Sequence, residues 1–125
     1  MKKILIVDDE PSNGNLLQET LTSAGYCAMR AYSGTEALLT VANTEPDLVL
    51  LDLMLPGLSG EELLPRLQEI RPASACPLPA RSSSKCTARF LQGTRTTNYT
   101  LIFFSGTTLQ QQRADTDMIL RFSFR

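Results

Sequence analysis

A parallel α/β sheet with helices on both faces is the fold class this chain predicts, and three observations carry that expectation. Two short apolar runs, residues 3–7 (KILIV) and 47–51 (DLVLL), have the unbroken character of strands covered on both faces. Stretches of helical spacing lie between and after them. Strand and helix then alternate three times within the first 72 residues, the rhythm of βαβ units rather than of hairpins.

Each element has its own signal. After the first strand, Leu16, Leu17, Leu21 and Ala24 recur at helical spacing, and Gly25 stands where a helix C-terminal glycine belongs. Residues 26–31 (YCAMRA) read as the second strand. Ser33-Gly34-Thr35-Glu36 is a capping-box pattern, which opens a helix through Ala37, Leu38, Val41 and Ala42. Residues 47–51 make the third strand. Ser59-Gly60-Glu61-Glu62 repeats the capping-box pattern, with Leu63, Leu64, Leu67 and Ile70 as the apolar face that follows. Leu16, Leu17, Leu63 and Leu67 are expected in the core, and the cysteines as small buried apolar residues. Pro65 falls inside the third helix and should kink it or weaken its first turns.

Past Arg71-Pro72 the rhythm stops. Residues 73–80 (ASACPLPA) hold two prolines and no strand-length apolar run, and residues 81–100 show no period. Residues 101–104 (LIFF) and 118–124 could be strands, and 107–114 a helical turn or two. The charge changes with the rhythm. Residues 1–72 carry five basic against eleven acidic side chains, net −6, whereas residues 73–125 carry seven against two, net +5. The chain thus divides into a 1–72 portion with a clear βαβαβα pattern and a divergent 73–125 portion of the same domain.

Composition narrows the function. A chain of 125 residues suits one domain with its own core. The overall charge of −1 suggests neither nucleic acid nor an anionic membrane as partner. Three cysteines (Cys27, Cys76, Cys86) in no C-x-x-C pair, with no histidine, argue against a disulfide framework or a zinc site and for a reducing cytoplasm. Without histidine, no Ser-His or Cys-His nucleophile is available. No apolar run approaches the ~20 residues of a membrane helix.

Within the apolar run VLLDLMLPGLSG, Asp52 is the anomaly, because an unpaired buried charge is costly. It makes sense as a residue at a strand's carboxyl end, where open parallel sheets bind ligands. Asp8 and Asp9 follow the first strand in the same way. If these strands are neighbours, three carboxylates converge, and they repel unless a cation joins them. Mg²⁺, a hard ion that takes a few carboxylates and keeps waters, is the natural complement and would also organise a phosphoryl group. A carboxylate there can act as nucleophile and form an acyl phosphate. The plain alternative is that each Asp is only a turn or cap residue.

KILIVDDEPSN followed by PDLVLLDLMLPGLSGEELL resembles the receiver domain of bacterial response regulators, over Met1 to about Pro72. The resemblance implies a flavodoxin-like fold with strand order 2-1-3-4-5, and a cytoplasmic phosphoacceptor of a two-component phosphorelay rather than an enzyme. Its partner would be a sensor histidine kinase, which donates the phosphoryl group to Asp52. Asp8 and Asp9 would hold Mg²⁺ with Asp52 and the backbone carbonyl of Met54.

Two further residues that the family uses are not found. A Ser or Thr should end the fourth strand, yet Pro79 stands at the corresponding place in Pro77-Leu78-Pro79-Ala80-Arg81. A Lys-Pro pair should end the fifth, yet none of the three lysines (Lys2, Lys3, Lys85) precedes a proline. Residues 98–104 (NYTLIFF) echo the family's Asp-Tyr…Lys-Pro-Phe without the lysine. A reading frame shifted after about Cys76 would account for the charge switch, the lost period and both missing residues. The competing function is a degenerate or truncated receiver without phosphotransfer, acting as an interaction module or persisting as a remnant. A phosphatase of Asp-x-Asp type ranks last, because Asp52-Leu53-Met54 lacks the second acid.

Overall fold

Five strands form one sheet in the order β2-β1-β3-β5-β4. The computed structural model describes residues 2–52, 60–70, 85–92 and 95–103. Along the chain these give β1 (Lys3–Val7), α1 (Pro11–Ser23), β2 (Cys27–Ala31), α2 (Gly34–Thr44), β3 (Leu48–Asp52), α3 (Gly60–Ile70), β4 (Lys85–Gln92) and β5 (Arg95–Phe103). The expected segments 107–114 and 118–124, the Ser59 cap and the prolines of 77–81 lie outside the described residues.

The first three strands behave as their apolar runs require. β1 pairs in parallel with β2 on one side and with β3 on the other, Leu5 lying opposite both Met29 and Val49. Alternate side chains of the sheet enter two cores. On one face Ile4, Ile6, Leu48, Leu50, Tyr99 and Leu101 pack with Leu17 and Leu21 of α1. On the other, Leu5, Val7, Val49, Leu51 and Ile102 pack with Ala37 and Val41 of α2 and with Leu63 and Leu67 of α3. Helices therefore cover both faces, as expected. Leu16, in contrast, is 40% exposed and lies outside the core, because Leu17 and Leu21 already form the inward stripe of α1. Ile70 is also exposed, and Cys27 is only partly buried.

Helix ends follow their local chemistry. Pro11 takes the first helical position of α1, where its missing N–H costs nothing. The same helix closes with the Tyr26 N–H on the Leu21 carbonyl and the Gly25 N–H on the Thr22 carbonyl, both 3.0 Å. That is a Schellman closure, and Gly25 supplies its left-handed residue at φ 98°. At α2, Ser33 Oγ accepts the Glu36 N–H at 3.2 Å, while the Glu36 carboxylate reaches back to the Tyr32 N–H at 3.0 Å. The capping box thus exists, with its return bond one residue earlier than in the usual form. Pro65 lies within α3, which continues through it to Ile70.

The second portion departs from expectation. Residues 81–100, read as aperiodic, contain β4 and most of β5, and the 101–104 strand is the end of a longer one. Both strands are antiparallel to their neighbours, β5 to β3 and β4 to β5, so the order 2-1-3-4-5 is not what forms. Chain length explains the antiparallel pairing of β4 with β5. A parallel return needs a crossover of a dozen or more residues. Between Gln92 and Arg95 there are only residues 93 and 94, so the two strands pair as a hairpin. β5 then occupies the β3 edge that a three-stranded sheet would have left open.

Candidate functional site

Asp8, Asp9 and Asp52 meet at the carboxyl ends of β1 and β3. Each offers a carboxylate oxygen, and the three oxygens lie within 4.8 Å of one another. β1 and β3 are direct neighbours, Val7 lying opposite Leu51, so the residue after Val7 and the residue after Leu51 are necessarily close. The convergence expected from the sequence is therefore what the sheet order produces. Asp8 is fully buried, Asp52 is 7% exposed, and Asp9 faces solvent.

Asp8 is held on several sides. Its backbone N–H donates to the Ala31 carbonyl at 3.1 Å, extending the β1–β2 ladder by one residue. Its Oδ1 accepts the Glu10 N–H at 2.9 Å, an Asx-type turn that leads the chain into α1. Its Oδ2 accepts a hydrogen bond from the Tyr99 hydroxyl. The turn role weighed as the plain reading of Asp8 is thus real, and it also fixes where the carboxylate sits.

Tyr99 is the site residue that sequence reasoning did not assign. β5 runs antiparallel to β3 and places Tyr99 directly opposite Asp52. The ring is fully buried on the α1 face with Ile4, Ile6, Leu48 and Leu50. Burial, the bond to Asp8 and the negative charge of Asp8 and Asp52 together push the phenol far above its ordinary range, against a smaller opposing effect of Arg30. The hydroxyl therefore keeps its proton and stays a donor. The alternation in 99–102, with Tyr99 and Leu101 on one face and Ile102 on the other, was the available signal.

The donor set suits Mg²⁺. All three candidates are carboxylate oxygens, the hard donors that this ion takes. Three such oxygens within 4.8 Å of one another could hold one cation among them. The carbonyl of Met54 and the place of the missing hydroxyl at Pro79 lie outside the described residues. No helix among the described residues is long and apolar enough to cross a membrane.

Comparison with known proteins agrees with this geometry. The family model for the response regulator receiver domain matches residues 4–92. The chain belongs to the receiver domains of two-component response regulators, a flavodoxin-like class. It is 48% identical over 85 residues to the uncharacterized transcriptional regulatory protein YrkP of Bacillus subtilis, covering 66% of this chain and 35% of that one. It is 45% identical over 69 residues to sporulation initiation phosphotransferase F of the same organism, covering 55% of this chain and 56% of that one. The match thus spans less than two thirds of either relative. Among solved structures, the response regulator TrrA of Thermotoga maritima, in complex with Mg²⁺-BeF, aligns with a TM-score of 0.53 at 43% identity, covering 55% of this chain and 60% of that one. A receiver domain of Methanospirillum hungatei aligns at 0.57 and 33% identity, over 60% of each chain.

Proposed function

We propose that this receiver domain is a Mg²⁺-dependent phosphoacceptor that takes a phosphoryl group from a sensor histidine kinase onto Asp52. The observation that carries the reading is the meeting of the Asp8, Asp9 and Asp52 oxygens at the end of two adjacent parallel strands. An Asp52 oxygen attacks phosphorus, a P–O bond forms, and the bond to the donor's histidine nitrogen breaks. Asp8 and Asp9 would hold the metal, with Asp52 and the Met54 carbonyl as further ligands. When bound, the ion neutralises charge developing on the transferred group.

The acceptor function belongs to the portion up to about residue 72, and residues 73–125 form the divergent part of the same domain. Three cysteines, an odd number with no C-x-x-C spacing, fit a reducing cytoplasm. In the full chain, incubation with Mg²⁺ and a small phosphodonor should add the mass of one phosphoryl group to the wild type and none to Asp52→Ala. An unmodified wild type would instead support a degenerate receiver that serves only as an interaction module.

A further inference from the structure

Asp8, Asp9 and Asp52 stand at the ends of β1 and β3, whereas Tyr99 enters the same site from β5. Its hydroxyl donates to Oδ2 of Asp8, and the Glu10 N–H donates to Oδ1 at 2.9 Å, so each oxygen of this buried carboxylate has a donor. Those two donors come from different elements, one from the entry to α1 and one from a strand beyond β3. A carboxylate rotates about χ2 unless something fixes it. Here the two donors fix both its plane and its depth.

We propose that Tyr99 is a positioning residue for the metal site, its hydroxyl holding the Asp8 carboxylate in the orientation that faces Asp9 and Asp52. The inference rests on the acidic site being the metal site, as proposed above. Each carboxylate oxygen carries two lone pairs, so Oδ2 can accept from Tyr99 and still face a cation. Outer hydrogen-bond partners of metal ligands act in this way, and their loss typically costs about 10–100-fold in metal affinity. The family's phosphoryl-pairing lysine is not the basis of this role. Tyr99 is a neutral donor, and it acts on Asp8 and not on the incoming group.

Titration calorimetry of the full chain with Mg²⁺ alone tests this with Tyr99→Phe, which keeps the ring among Ile4, Ile6, Leu48 and Leu50. Binding about ten-fold weaker or more, with circular dichroism unchanged, is the expected result. Equal or tighter binding by Tyr99→Phe overturns the positioning role and leaves the acidic-site reading intact. A wild type that binds no Mg²⁺ overturns both. Should Tyr99→Phe fail to fold, a Tyr26→Phe, Tyr32→Phe chain keeps Tyr99 as its one tyrosine. Its near-ultraviolet absorbance should then shift on adding Mg²⁺, and a flat titration in a chain that binds Mg²⁺ refutes the role.

Discussion

Gly14 and Arg30 share one small volume. A Cβ on Gly14 would lie 2.1 Å from the Arg30 Cζ, so the guanidinium rests where any larger residue on α1 would intrude. Arg30 Nη1 donates to Asn15 Oδ1 at 2.8 Å, and the guanidinium sits 4.7 Å from the centre of the Tyr32 ring. Alanine at position 14 should raise helix propensity by about 1 kcal/mol yet expel the guanidinium. Urea unfolding should show Gly14→Ala stabilising in an Arg30→Ala background and neutral or destabilising in the wild type. Tyr99 makes a second residue-level prediction. Its native phenol ionises far above the ordinary value of about 10, so the unfolded chain releases that proton first as pH rises. The stability it contributes is complete below about pH 10 and is lost above it. Stability measured from pH 8 to 11 should fall more steeply in the wild type than in Tyr99→Phe.

At the scale of elements, what could be read from residue patterns was local. The capping box at Ser33, the glycine closure at Gly25 and the unbroken strand KILIV each depend on neighbours within a few residues, and each forms where expected. Replacing Ser33 by Ala should destabilise the fold by about 1 kcal/mol through loss of the Glu36 N–H acceptor, checked by chemical denaturation. Leu16 shows the limit of local reading. Leu16 and Leu17 are adjacent, and only the direction of the sheet decides which of them turns inward. β4 and β5 show it more strongly. Their pairing partners are β3 and each other, and no period within residues 85–103 says which edge they will join. Tyr99 went unassigned for the same reason: its role depends on standing opposite Asp52, a contact between positions far apart in the chain.

Across the whole molecule, the acidic site was legible because it rests on two parallel neighbours, β1 and β3, whose carboxyl ends adjoin. The completion of the sheet was not legible, since the chain replaces the family's two remaining βα units with an antiparallel hairpin over the described residues. That hairpin covers the β3 edge and gives the site a phenol in addition to its three acids. Locating the modified residue tests whether Asp52 accepts a phosphoryl group at this site. The full chain is incubated with a small phosphodonor, with or without Mg²⁺, then reduced with borohydride, which converts an aspartyl phosphate into homoserine. Peptide mass spectrometry should find homoserine at position 52, and only in the sample that contained Mg²⁺. Homoserine at another position, none at all, or the same yield without the metal would contradict the account.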